Sequence, residues 1–309
     1  MKIPPETILC AVDFSSHSSG AARIGVDLCR RFGSRLQIFH AVCTPSSQVY
    51  GHPVSERGRT QERQARHATE AIDGLMAELD YPWTPLIAFG DPVEALIEAA
   101  QRSDVDLVIA AGYGIRGIQR LLHGTVVERM IRTRACTFLV IPAHGATFSG
   151  EGALKVSHII AACDTGGGPS DRVLGHALSY AGLFNARLDL LHALEAPDNG
   201  EVPEAAQPGH YAEAETVMME KRRRQILARI PQEIQARLSL SILLRSGVPG
   251  EVLVDSARNR GADLIIVGVR SRRFWGRVFK GSTTETVLRH APCPVLTVPE
   301  QTGGEGRNA

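Results

Sequence analysis

The 309-residue chain lacks the marks of several large protein classes. None of its six cysteines, at positions 10, 29, 43, 136, 163 and 293, belongs to a C-x-x-C pair. Metal and redox frameworks need closely spaced ligands, so these thiols read mainly as small buried hydrophobes. No apolar run reaches membrane-spanning length, and residues 1–6 lack the charged and apolar regions of a signal peptide. A cytoplasmic location with no membrane partner is expected. An excess of one charge is also missing: 34 Lys and Arg face 33 Asp and Glu, a formal net charge of +1. The chain therefore has no global attraction to nucleic acid or anionic lipid. Paired carboxylates, a Ser-His-Asp order and a metal-ligand cluster do not stand out either, so no chemical step is marked.

What the chain does have is a long internal repeat. Asp106-Leu107-Val108-Ile109-Ala110-Ala111, a loop, and Gly124-Thr125-Val126-Val127-Glu128 return 157 residues later. The second copy reads Asp263-Leu264-Ile265-Ile266-Val267-Gly268, a loop, and Gly281-Ser282-Thr283-Thr284-Glu285. Val12-Asp13 returns as Cys163-Asp164, Ile38-Phe39-His40-Ala41 as Leu190-Leu191-His192-Ala193, and Gly90-Asp91-Pro92 as Gly247-Val248-Pro249. The offset grows from 151 to 157, which puts most of the extra residues of the second copy between His192 and Gly247. A period near 150 residues is the size of a domain, not of a solenoid repeat. The expected division is residues 1–143, a small polar linker, residues 153–300, and a loose tail at 301–309.

Within each copy, short apolar runs alternate with helical patterns. In the first copy, strands are expected at Ile8–Val12, Leu36–Val42, Trp83–Phe89, Asp106–Ala111 and Thr137–Ile141. Helices are expected from Ser15–Ser19 to Phe32, over Gln61–Leu79, from Pro92, and over Thr125–Arg134. Thr44–Gly58 reads as loop. Alternation of this kind implies a parallel sheet with right-handed crossovers and helices on both faces, an α/β fold of two repeated doubly wound domains. The long helix of the second copy, about Tyr211–Leu227, carries Lys221-Arg222-Arg223-Arg224; four adjacent positions spread around a helix and read as a solvated surface.

These features resemble the universal stress protein family, here as a tandem of two domains. The passage Val287-Leu288-Arg289-His290-Ala291-Pro292-Cys293-Pro294-Val295-Leu296 carries the resemblance most specifically. It implies five-stranded parallel sheets of the adenine nucleotide alpha hydrolase-like kind, with a nucleotide at the strands' carboxyl ends. Nucleotide-binding members carry G-x-x-G, nine residues, then G-[S/T]. The first copy has Ala111-x-x-Gly114 followed by Gly124-Thr125, and the second has Gly268-x-x-Ser271 followed by Gly281-Ser282. Each departs from the pattern at one glycine. Asp13 and Asp164 lie, by resemblance, beside the adenosine moiety.

The implied ligand is ATP or a related adenine nucleotide, with Mg²⁺ as its companion ion. Its expected contacts are Asp164, Gly268, Ser271, Gly281, Ser282 and Thr283 in the second copy, and Asp13, Gly114, Gly124 and Thr125 in the first. The second pocket is favoured, because Ser282, Thr283 and Thr284 offer hydroxyls and the preceding loop is rich in arginine. The resemblance further implies that the fifth strands dock the two domains as a pseudo-dimer, and it leaves a homodimer open. Hydrolysis, at most, is slow. The residues allow a plainer reading as well. Thr125-x-x-Glu128 and Ser282-x-x-Glu285 are capping boxes that stabilise a helix without a ligand, and Asp13 and Asp164 suit an Asx-type turn. A non-binding interaction module of the same fold is the alternative.

Overall fold

Runs of Ile, Leu and Val bounded by Asp, Gly or Pro become the strands of two repeated sheets. The computed structural model describes residues 2–43, 54–102, 104–111, 136–142, 154–165, 169–194, 208–269 and 283–299. The chain divides into two compact units, Met1–Lys155 and Val156–Glu300.

The first unit runs β1 (Thr7–Ala11), α1 (Ser16–Phe32), β2 (Arg35–Val42), α2 (Val54–Met76), β3 (Trp83–Phe89), α3 (Pro92–Arg102), β4 (Leu107–Ala111) and β5 (Thr137–Ile141). Its strands are all parallel in the order β3-β2-β1-β4-β5. Alternate residues serve opposite faces, because successive side chains of a strand point apart. Leu9, Phe39, Val108 and Phe138 pack with Val93, Leu96 and Ala100 of α3. On the other face, Gly25 of α1 comes so close to the sheet that a Cβ there would stand 2.2 Å from Cys10 Sγ, with Leu36 and Ile109 next nearest. Helices thus cover both faces, as the alternation of elements requires.

The second unit repeats this plan as β6 (His158–Ala162), α4 (Pro169–Phe184), β7 (Arg187–Leu194), α5 (Pro208–Leu227), α6 (Gln232–Arg237), β8 (Leu240–Ser246), α7 (Pro249–Arg260), β9 (Leu264–Val269), α8 (Thr283–His290) and β10 (Val295–Pro299). Its parallel order is β10-β9-β6-β7-β8. The short helix α6 falls among the extra residues of this copy.

The duplication extends to individual bonds. Asp106 Oδ2 accepts the Glu6 and Thr7 amides at 2.9 and 3.3 Å, and Asp263 Oδ2 accepts those of Ser157 and His158 at 2.8 and 3.0 Å. Gly90 and Gly247 adopt φ of 122° and 132° and donate their N–H to Val42 O and Leu194 O. Only glycine enters that region without strain, which explains why the G-x-P turn recurs. Helix α1 is capped by Ser15 and closed by left-handed Gly33, and Asn185 takes the left-handed role after α4.

Where the copies differ, packing volumes are exchanged. The pair Gly25 and Cys10 corresponds to Ala177 and Ala161, so space given up by the helix is taken by the strand. A Cβ on Gly268 would stand 2.8 Å from Val173 Cγ2. The corresponding residues of the first copy are Ala111 and Ala21, with the larger residue on the strand instead.

Helix α2 begins at Val54, seven residues earlier than expected, and ends at Met76. Gly58 suggests a loop in sequence, but a single glycine costs a helix only about 1 kcal/mol relative to alanine. Glu56, Arg57, Arg59, Gln61 and Glu62 are all good helix formers. Five of the six cysteines are buried, Cys43 being the exposed one. Burial pushes the Cys29, Cys136 and Cys293 thiols up to about 12 and holds that of Cys10 well above its ordinary range. At the amino ends of the second sheet, fully buried Asp189 receives bonds from His158 Nε2 and Arg260 Nε, both at 2.7 Å to Oδ2. Gln37 holds the matching position in the first unit.

Candidate functional site

From β1 the chain winds outward through β2 to β3 and then returns to β4 on the other side of β1. The strand order thus reverses between β1 and β4, and in open α/β sheets ligands bind beyond the carboxyl ends of the strands at such a switch point. The same switch point lies between β6 and β9. Asp13 follows β1 and Asp164 follows β6, while Ala111 and Gly268 sit at the ends of β4 and β9. All four residues lie at the carboxyl ends of the strands that flank the two switch points.

Asp13 is locally bracketed. Its Oδ1 accepts the Ser15 amide at 3.0 Å and the Ser15 hydroxyl at 2.6 Å, and its own N–H donates to Ser18 Oγ at 3.2 Å. Its second oxygen, Oδ2, is buried and has no hydrogen-bond partner among the described residues. A buried acceptor left so costs about 1–3 kcal/mol, a deficit that a ligand amino or hydroxyl group would remove. Phe14, at φ 62°, is tilted against His40 with ring centroids 4.5 Å apart. His40 Nδ1 donates to Val12 O at 2.9 Å, and His192 Nδ1 repeats this with Cys163 O at 3.0 Å. The two histidines hold the end of the first strand against the second.

Asp164 keeps the backbone bond to the following helix, its N–H donating to Ser170 Oγ at 3.0 Å. Its Oδ1 accepts the Thr165 amide at 2.7 Å, and its side chain is 46% exposed. Gly268 does not use a positive φ; it is glycine because Val173 leaves no room for a Cβ. Backbone freedom is thus not what this position demands. Gly268 O accepts the Thr284 hydroxyl at 3.0 Å, which ties the start of α8 to the end of β9. Thr283 opens α8, and its carbonyl lies 3.2 Å from where a Cβ on Gly250 would stand. Gly114, Gly124, Thr125, Ser271, Gly281 and Ser282 lie outside the described residues, as does the expected helix at 125–134.

Three arginines that the residue pattern did not mark as site residues gather at this end of the second sheet. Arg172 of α4 donates to Pro299 O at 2.7 Å. Arg222 of α5 is half-buried and donates to Thr165 Oγ1 at 2.7 Å, which corrects the reading of 221–224 as a purely solvated run. Arg223 and Arg224 remain exposed. Arg229, just beyond α5, donates to Asp164 O and pairs with Asp171 Oδ1 through Nε at 3.0 Å and Nη2 at 2.6 Å. The basic run was the available signal, but helical periodicity alone could not tell which of its members turns inward. Among the described residues no group of three or more His, Cys, Asp or Glu could hold a metal ion, and no helix is long and apolar enough to cross a membrane.

The model of the universal stress protein family matches residues 5–142 and again 155–299. The chain belongs to that family. It is 35% identical over 130 residues to the universal stress protein in the QAH/OAS sulfhydrylase 3'region of Thermus aquaticus, a match covering 41% of this chain and 88% of that one. It is 24% identical over 143 residues to universal stress protein YxiE of Bacillus subtilis, covering 43% of this chain and 97% of the relative. Both are covered by about one unit's length. A solved universal stress protein from Archaeoglobus fulgidus spans nearly the whole chain, with a TM-score of 0.64, 17% identity, and coverage of 95% of this chain and 96% of that one. That likeness carries the fold: a tandem of two α/β units.

Proposed function

We propose that this universal stress protein binds ATP or a related adenine nucleotide as a regulatory ligand, with the second unit as the principal site. The observation that supports it best is the convergence at the β6–β9 switch point of Asp164, Gly268 and the start of α8 with the guanidinium groups of Arg222 and Arg229. A carboxylate can accept bonds from ribose or base donors, while guanidinium groups and a helix start favour phosphate. In the first unit the buried, partnerless Asp13 Oδ2 fits a ligand donor in the same way. Ser271, Gly281, Ser282 and Thr283 complete the second site in this reading, and Gly114, Gly124 and Thr125 the first. Mg²⁺ enters with the phosphates, since it is commonly held by one or two carboxylates together with substrate oxygens. No residue is assigned as a general base, and turnover is slow at most.

Native mass spectrometry of the purified chain tests the proposal. A retained mass matching an adenine nucleotide is expected, removed by Gly281→Val and kept by Gly124→Val. Full occupancy in the Gly281 variant would overturn the choice of unit. No retained nucleotide, even after incubation with ATP and Mg²⁺, would overturn the function.

A further inference from the structure

Strand β8 ends the second sheet: it pairs with β7 and has no other strand beside it among the described residues. Its ladder to β7 is fixed at both ends. Leu188 donates its N–H to Ser239 O at 2.8 Å, and Gly247 donates to Leu194 O at 3.0 Å. In a parallel ladder alternate residues bond the same neighbour. Ser239, Ser241, Leu243 and Arg245 therefore turn their backbone groups to β7, while Leu240, Ile242 and Leu244 turn theirs to the open edge. The first unit blunts the matching edge. Gly90 donates to Val42 O there, and the residue in the register of Ile242 is Pro85, which has no N–H to offer. The second unit keeps that donor, and an edge left in this state is a template for an added strand.

Beside the edge lies a cleft of about 430 Å³, lined by residues 240–243 of β8, Arg223 and Leu227 of α5, and Arg260 of α7. Successive side chains of a strand point to opposite faces, so a cleft touching four in a row runs along the strand's edge. Right-handed crossovers place α5 and α7 on opposite faces of the sheet, and the two arginines therefore flank the edge from both sides. Arg260 Nε is held by buried Asp189 at 2.7 Å, which leaves Nη1 and Nη2 without a hydrogen-bond partner among the described residues. Arg223 has Glu220 nearest, at 3.8 Å, beyond hydrogen-bond distance. We propose that the β8 edge docks an extended acidic peptide segment of another protein. The segment adds as a further strand and sets neighbouring carboxylates, one on each face, against Arg223 and Arg260. A second copy of β8 suits the edge less, because it would bring these arginines and exposed Arg245 against their own counterparts. The nucleotide site takes no part in this docking.

The probe is a capped synthetic peptide, acetyl-Thr-Val-Glu-Glu-Val-Thr-amide, titrated into the full chain, with the form carrying Gln-Gln in place of Glu-Glu as its neutral counterpart. Affinity is read by titration calorimetry, and amide exchange by residue-resolved NMR. The acidic peptide should bind saturably, and the neutral one about tenfold more weakly, for the loss of two partly exposed ion pairs. Arg223→Gln should weaken the acidic peptide about threefold, and Arg224→Gln, on the same helix but outside the cleft, should leave it unchanged. At saturation, exchange at the Leu240, Ile242 and Leu244 amides should slow by about tenfold or more, with Ser241 and Leu243 unchanged. That alternation marks an added strand, and it is read on the wild-type chain. No binding up to millimolar peptide would overturn the proposal. Binding that leaves these three amides unprotected, or equal affinity for the neutral peptide, would overturn it as well. Slowing of the same amides with rising protein concentration, in the absence of peptide, would assign the edge to a second copy instead.

Discussion

Substituting Gly25 by alanine probes the exchange of volumes between the two copies. The added Cβ would stand 2.2 Å from Cys10 Sγ, in a core where Cys10 is fully buried. Overpacking of this kind costs about 1–3 kcal/mol, because the sulfur or the helix must move. The same substitution improves helix propensity by about 1 kcal/mol, so the single variant alone is a poor reporter. A double-mutant cycle with Cys10→Ala separates the two effects. The propensity gain and the loss of the sulfur each appear on both sides of the cycle and cancel, leaving the clash. The coupling should be about 1–3 kcal/mol, with the double variant reproducing the Ala177–Ala161 pair of the second unit. Hydrogen exchange of α1 and β1 amides measures it, with α4 and β6 amides as an internal reference. A coupling below about 0.5 kcal/mol, the usual limit of additivity, would refute the volume-exchange argument.

Two further outcomes follow from buried groups. Asp189→Ala leaves the His158 and Arg260 groups without their shared acceptor, and should destabilise the second unit by about 3–5 kcal/mol in exchange or denaturant measurements; a loss under 1 kcal/mol would show that the cluster is not tightly coupled. At alkaline pH the folded chain keeps Cys29, Cys136 and Cys293 protonated to about 12, whereas the unfolded chain releases these protons near 9.0. The unfolded state then binds fewer protons, so stability falls as pH rises between those values, by up to about 1.4 kcal/mol per pH unit for each thiol. Replacing the three by alanine should flatten that slope in denaturant titrations at pH 9 to 11, and an unaltered slope would contradict it.

Parallel sheets are the part of this fold that residue patterns announce most clearly. Their strands are buried on both faces and so appear as unbroken apolar runs such as Leu107–Ala111 and Leu264–Val269. Comparing the copies doubled that signal, and it located Asp13 and Asp164 at the switch points. Two features were not readable in the same way. Gly268 looks like a phosphate glycine in sequence, yet its constraint comes from Val173, nearly a hundred residues away. Arg222 is indistinguishable by composition from Arg223 and Arg224, and only the rotation of α5 turns it towards Thr165. Long-range contacts between side chains carry both facts, and local periodicity does not encode them. The start of α2 is hidden for a different reason: Gly58 signals a break, but its small cost is outweighed by the helix formers around it.

Titration calorimetry of the nucleotide-stripped full chain with ATP and Mg²⁺ tests the central claim most directly. A saturable heat is predicted, with Asp164→Ala weakening the tighter site and leaving the fold intact by circular dichroism. An absence of heat up to millimolar ATP, with the chain folded, would contradict the assignment of this universal stress protein as a nucleotide binder.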